Sequence, residues 1–367
     1  MFFNPSSEKC RRIQLFVARL LFSLYSVTMP NQRDVAREAH LSSATVSRYL
    51  TDPKSVSPKA AARIQAAIEK ISYKVDYSAQ CLKTGRYYHI GILAPGIGPF
   101  YWEAFSWMQW KLNEEGYFST LFYTRDVNTL DHSYRDRIPP FLNKRQLDGV
   151  IFFPLLSRED DEIIDNLINW GHPFVIADRT IQNASFPQVS MNNYAGGWKA
   201  AEAFLEKGHR EFLFIWGRHD SPSAHERFRG FQDRLQQDGI ELGPDRQIDG
   251  EYQAETTYRN ALKKLDAAPR FTAVFASNDA SAIGFIRAAA EKGFRCPQEY
   301  SIIGYDNNLE FSPFTTPPLA SFKQPVAEFS RTAAGLLLDI LQGKSDVSRQ
   351  RIFEPEFIDR ASLSHAP

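Results

Sequence analysis

The chain has 367 residues, 43% of them hydrophobic and 23% charged, with 21 prolines and 20 glycines. At roughly 150 residues per domain this is enough for two or three domains with sizeable apolar cores, and it excludes collagen-like, disordered and disulfide-scaffold chains. Formal charge balances at 43 basic and 43 acidic residues, but residues 29–89 carry ten lysines and arginines against five acids, whereas residues 90–367 carry 29 against 37. A small basic module therefore precedes a large acidic body. Basic modules suit phosphate-rich partners, because neutralising phosphates supplies affinity; a solvated basic face is the other reading of the same charges.

The three cysteines, Cys10, Cys81 and Cys296, are far apart and form no C-x-x-C spacing. A zinc site or disulfide framework is not expected, and the compartment read from them is a reducing cytosol. Residues 1–28 place Lys9, Arg11 and Arg12 ahead of an apolar run from Ile13 to Val27, as signal peptides do. Arg19 interrupts that run, no A-x-A-like cleavage site follows, and about 15 residues fall short of the about 20 a membrane span needs. The segment reads as a non-functional N-terminal extension, with the working start at Met29. No membrane partner is expected.

Asn31 is an N-cap for a short helix carrying Val35 and Ala39, and Ser42 caps a second. In the second helix Val46, Tyr49 and Leu50 share one face, while Ala44 and Arg48 lie roughly opposite. After Asp52 and Pro53, the pair Ser57 and Pro58 opens a third helix with an apolar stripe of Ile64, Ala67, Ile68 and Ile71. Three short helices with a tight turn between the first two form the layout of a helix-turn-helix unit, whose second helix reads the DNA major groove. Arg48 is suited to guanine O6 and N7, Ala44 to apolar contact such as a thymine methyl, and Thr45 and Ser47 to phosphates.

From His89 onward, apolar runs of strand length alternate with helical stretches. Ile90–Ala94, Thr120–Tyr123, Val150–Phe153, Phe174–Ala177, Phe212–Trp216, Ala273–Ala276 and Ser301–Gly304 read as parallel strands buried on both faces. Ligands of such sheets bind outside the carboxyl ends of the strands, which singles out Phe100 and Tyr101 after the first strand, Tyr252, Asn278 and Asp279, and Asp306. Aromatic faces stack on a sugar or a base, and carboxylates and amides pair with hydroxyls. Bland roles are open to the same residues: core or rim for Phe100 and Tyr101, a helix N-cap for Asp279 or Ser223, and an ion pair between Asp178 and Arg179 at a cleft rim. Gly91, Gly96 and Gly98 do not have G-x-G-x-x-G spacing, and no phosphate-loop, nucleophile-elbow or metal-protease motif occurs, so neither an enzyme nor a cofactor is expected.

The ordered string Asp34-Val35-Ala36-Arg37-Glu38-Ala39, Ala44-Thr45-Val46-Ser47-Arg48 and Val56-Ser57 resembles the DNA-binding head of the lactose-repressor/galactose-repressor family, and the likeness runs from residue 29 to about 360. It implies a helix-turn-helix domain at 29–75, a hinge helix or linker at 76–88, and a periplasmic-binding-protein-like body at 89–367. That body is expected as two doubly wound α/β lobes crossing near Asn193 and Ser321: lobe 1 about 89–193 plus 321–345, lobe 2 about 194–320 plus 346–367. The resemblance also places operator choice on Ser43 and Ala44, base reading on Arg48, an apolar minor-groove wedge on Leu82, and an effector contact on Arg227. Two positions depart from the family, which has glycine where this chain has His40 and Ser72. If those positions need positive φ, a side chain there carries strain.

The function this implies is a cytoplasmic, homodimeric regulator, a repressor of a carbohydrate-utilisation operon that binds a pseudo-palindromic double-stranded DNA operator. Its effector is expected between the lobes as a sugar or sugar phosphate; a purine-like effector or corepressor, and a periplasmic-type sugar-binding module, are the alternatives. The tail Ser362–Pro367 has no apolar heptad and so no coiled-coil tetramer is expected.

Overall fold

A computed structural model describes residues 30–73, 86–96, 98–124, 146–267, 270–308, 310–344 and 349–367. The expected extension at 1–28 and the wedge residue Leu82 lie outside the described residues. The chain divides into two compact units between Arg86 and Tyr87.

In the first unit, helices α1 (Gln32–Ala39), α2 (Ser43–Thr51) and α3 (Pro58–Lys70) enclose a core of Val35, Ala36, Ala39, Val46, Ile64 and Ala67. Local chemistry fixes where each begins. Asn31 accepts from the Arg33 amide while Asp34 accepts from the Asn31 amide, and Ser42 and Ser57 cap α2 and α3. The turn after α1 is made by His40 in the left-handed region (φ 50°), and Ser72 ends α3 with φ 51°. Both positions that lack the family's glycine thus adopt the backbone glycine would favour.

The second unit holds two six-stranded sheets. Sheet order is β11-β5-β4-β3-β1-β2 in lobe 1 and β12-β10-β9-β8-β6-β7 in lobe 2. Lobe 1 comprises β1 (His89–Ala94), α4 (Pro99–Glu114), β2 (Phe118–Tyr123), β3 (Gly149–Phe152), α5 (Arg158–Asn169), β4 (Phe174–Ala177) and β5 (Gln188–Met191). Lobe 2 comprises α6 (Asn193–Glu206), β6 (Phe212–Trp216), α7 (Pro222–Gln237), β7 (Gln247–Asp249), α8 (Ala254–Asp266), β8 (Ala273–Ala276), α9 (Asp279–Glu291), β9 (Ser301–Asp306) and β10 (Ala320–Lys323). The chain then returns to lobe 1 for α10 (Val326–Leu341) and β11 (Gln350–Phe353), and ends in lobe 2 with β12 (Glu356–Ile358). Pairing is parallel throughout except between β10 and β12. The central strands β3, β4, β6 and β8 are buried at every residue, as strands covered by helices on both faces must be.

Two boundaries differ from the sequence reading. Ser321 belongs to lobe 2, because β10 pairs with β9 over Ala320–Lys323, so the second crossover falls after Lys323. Residues 350–353, expected in lobe 2, pair with β5 in lobe 1, which moves the last crossover from about residue 345 to between Phe353 and Glu356. Both strands are four residues long, and their membership is decided by a ladder partner, nearby in sequence for β10 and distant for β11, rather than by their own apolar pattern.

His40 and Ser72 carry a cost that glycine avoids, about 1–2 kcal/mol for an ordinary L residue, partly returned by glycine's greater freedom in the unfolded chain. Ser72→Gly is expected to stabilise the head by about 0.5–1 kcal/mol, read as slower native-state amide exchange in α1 to α3. Faster exchange would show that the Ser72 side chain contributes more than its backbone costs.

Candidate functional site

The described residues offer two sites, one in each unit. In the head, Val46 is fully buried against the core, and its inward position turns the opposite side of α2 to solvent. Ala44 and Arg48 are exposed there, as the sequence reading placed them, and Ser43 is exposed as the first residue of the helix. Thr45 and Ser47 are half-buried. The Thr45 hydroxyl is 2.8 Å from that of Ser42 at the helix start, so it stands beside the free amides of the first turn. Tyr49 donates to Gln65 and ties α2 to α3.

In the body, the carboxyl ends of β4, β6, β8 and β9 converge where the lobes meet. Arg227, in the second turn of α7, is only 4% exposed. Its Nε donates to Asn193 Oδ1 at 2.9 Å, one Nη donates to the Ser277 carbonyl, and its guanidinium lies 3.7 Å above the centre of the Tyr305 ring. Two half-buried carboxyls face this charge. Asp178 ends β4 with φ 62°, and burial pushes its carboxyl up to about 7, with Arg227 pulling the other way. Asp306 ends β9 with φ 97°, accepts from Gln324 at 2.7 Å, and is likewise raised to about 7 by burial, opposed chiefly by Arg227.

Tyr101 and Tyr252 complete the walls. Burial raises both phenols, and the charges that act on Tyr101 include Asp178 in its own lobe and Arg218 and Asp220 across the cleft. Tyr252 sits at φ 60°, with its hydroxyl 3.0 Å from Ser221 Oγ and 3.3 Å from Ser223 Oγ. Arg218 grips Asp220 through two N–H donors, and the Asp220 carbonyl accepts from the Leu156 amide of lobe 1 at 2.8 Å, a direct bond between the lobes.

The structure brings Tyr101, Arg227, Tyr252 and Asp306 together, and it gives Asp279, Asn278 and Phe100 partners of their own beside them. Asp279 is 1% exposed, and its oxygens accept from the Asn308 amide and the hydroxyls of Ser312 and Ser321, so it braces the loop after β9. Burial nonetheless raises it to about 6. Asn278 spends its oxygen capping α9 and its amide on the Tyr252 carbonyl. Phe100 packs on Phe153 and Phe329 beside the lobe 1 core. Ser221, rather than Ser223, caps α7. Asp178 and Arg179 do not pair: Arg179 reaches the Leu155 carbonyl and Asp161. Asn193, Arg218, Asp220 and Tyr305 were not legible as site residues. Tyr305 reads as one more apolar strand position, and the other three carry no motif.

Residues 32–76 match the family described as bacterial regulatory proteins, lacI family, and residues 201–363 match the periplasmic binding protein-like domain. The transcriptional repressor CytR of Escherichia coli (strain K12) is 30% identical over 342 residues, 93% of this chain and 98% of that one. A LacI-family regulator from Enterococcus faecium solved with bound ribose is 28% identical, with a TM-score of 0.64, covering 76% of this chain and 100% of that one. The lac repressor dimer bound to operator and the anti-inducer ONPF shares the fold at 22% identity, with a TM-score of 0.81 over 91% of this chain and 99% of that one.

The raised carboxyls of Asp178, Asp306 and Asp279 set a pH dependence. Between about 4, where an unfolded aspartate titrates, and the folded values of about 7, 7 and 6, the folded state holds protons that the unfolded state has released, so stability falls as pH rises through that window. Asn is isosteric with the protonated acid. Thermal melts are expected to show a drop from pH 5.5 to pH 8 that is smaller in a D178N/D306N variant, and equal drops would mean that the carboxyls are hydrated in the cleft.

Proposed function

Because the chain belongs to the lacI family of bacterial regulatory proteins, we propose that it represses a carbohydrate-utilisation operon from the cytoplasm, as a homodimer on a pseudo-palindromic operator, under control of a neutral sugar held between its lobes. It is a DNA-binding transcriptional repressor with an effector-binding body, and not an enzyme. No helix among the described residues is long and apolar enough to cross a membrane.

The observation that carries the sugar reading is the meeting of Arg227 with Asp178 and Asp306 beside Tyr101 and Tyr252. Carboxylates accept from vicinal hydroxyls in pairs, a guanidinium donates to ring or hydroxyl oxygens, and phenol rings cover the apolar face of a pyranose or furanose. A phosphate ester fits less well, since its charge would face two acids while Arg227 already donates to Asn193 and Ser277. The ribose bound by the Enterococcus faecium relative supports the same class.

Two heads of a dimer would place α2 in major grooves roughly 34–36 Å apart, with Leu82 as an apolar wedge between base steps at the centre. Ser43 and Ala44 then choose the operator, Arg48 reads a base, and Thr45 and Ser47 touch phosphates. A sugar controls this assembly only if it binds one arrangement of the lobes more tightly than another.

Footprinting on DNA upstream of the chain's own and neighbouring genes, with a panel of neutral pentoses, hexoses and disaccharides, tests the proposal. A protected palindrome that one sugar releases or tightens is the expected result; a response to purines alone would overturn the sugar class. Arg48→Ala is expected to weaken operator binding by about 1–3 kcal/mol and to relax preference at one base pair, read by titration against single-base operator variants.

A further inference from the structure

We infer that Asn193 and Tyr305 are positioning residues that fix the orientation of the Arg227 guanidinium toward the cleft, and that the close crossing of α6 and α7 holds the arginine's own backbone in place for them. The inference deepens the reading of the cleft as an effector site and rests on it for its functional meaning.

An arginine side chain has four rotatable bonds, and a charged group free in a cleft would sample many of their rotamers at little cost. Arg227 has no such freedom. Asn193 Oδ1 takes its Nε–H, which fixes the plane of the guanidinium, and the Ser277 carbonyl fixes one Nη. Tyr305, itself fully buried in β9, supplies a flat floor 3.7 Å below. The three supports come from different elements: the first crossover, the end of β8 and the end of β9. Asn193 is the first residue of α6 after its cap at Asn192 and is 4% exposed, so the arginine is tied directly to the point where the chain passes from lobe 1 to lobe 2.

The backbone is held as firmly. A Cβ at Gly197 of α6 would strike the carbonyl oxygen of Arg227, and a Cβ at Gly230 of α7 would strike the carbonyl oxygen of Tyr194. The two helices therefore meet backbone to backbone at the arginine, an approach open only to glycine. Neither Asn193 nor Tyr305 needs to touch a ligand to matter. Each acts through Arg227, and a misaimed guanidinium loses the hydrogen bonds that distinguish one hydroxyl arrangement from another.

The test uses the full chain labelled with 15N-arginine, in which the Nε–H signal of Arg227 is identified by its loss in Arg227→Lys. No ligand is required. In the parent this proton is expected to exchange with water at least about tenfold more slowly than those of exposed arginines, and Asn193→Ala to remove that protection. Asn193→Asp keeps the acceptor and is expected to keep the protection, and Tyr305→Phe is expected to preserve it where Tyr305→Leu weakens it. An unchanged melting temperature in Asn193→Ala, beside lost protection, separates positioning from general stability. If Asn193→Ala does not fold, the Tyr305→Phe and Tyr305→Leu pair decides the matter. Exchange at Arg227 that is the same in the parent, Asn193→Ala and Tyr305→Leu overturns the inference. Titration with D-ribose and the neutral-sugar panel separates the two readings: lost protection with no sugar bound by the parent sinks the sugar class and leaves the positioning intact, whereas sugar binding with unaltered exchange does the reverse.

Discussion

The body is organised around one buried positive charge. A guanidinium removed from water costs several kcal/mol unless its donors and its charge are met, and Arg227 is 4% exposed. Asn193, the Ser277 carbonyl and the Tyr305 ring meet the donors and the face, and Asp178 and Asp306 meet the charge. Its hydrogen-bond and ring partners all belong to lobe 2, and Asp178 acts on the charge from lobe 1. The same burial pushes both carboxyls up to about 7.

That arrangement explains why the neighbouring polar residues are so fully committed. Asp279 joins the start of α9 to the loop after β9 and to β10, and Gln324 steadies Asp306 from the segment that leads into α10. The crossovers are therefore linked by hydrogen bonds to the groups that line the cleft. Arg227 bonds directly to Asn193 at the first crossover, and Asp306 to Gln324 at the second.

The head is built on a different principle. It has a small core of its own, capped helices, and two left-handed turns made without glycine, so its shape is set by local chemistry and a handful of apolar residues. Ala44 and Arg48 are exposed because Val46, on the other side of the same helix, is buried. Such a unit reads nearly completely from sequence, since the caps, the period of 3.6 and the core residues all lie within about 40 positions of one another.

The same contrast runs through the whole chain. Sequence alone determined the three helices of the head and their caps, seven of the parallel strands, the two-lobed class and the place of Arg227, because each is written in local periodicity, in a cap, or in a family motif of adjacent residues; it did not determine that β2, expected to be buried on both faces, lies at the sheet edge with no buried residue. Tertiary structure decided which sheet claims β10 and β11, since a four-residue strand is assigned by a partner more than a hundred residues away in one case and a few turns away in the other. It also decided that Asp279 braces the loop after β9, and that Asn193 and Tyr305 hold Arg227. No spacing in the sequence encodes those roles: a carboxylate after a strand looks the same whether its lone pairs are filled by neighbouring hydroxyls or left open to a cleft, and only the folded chain settles which groups reach it.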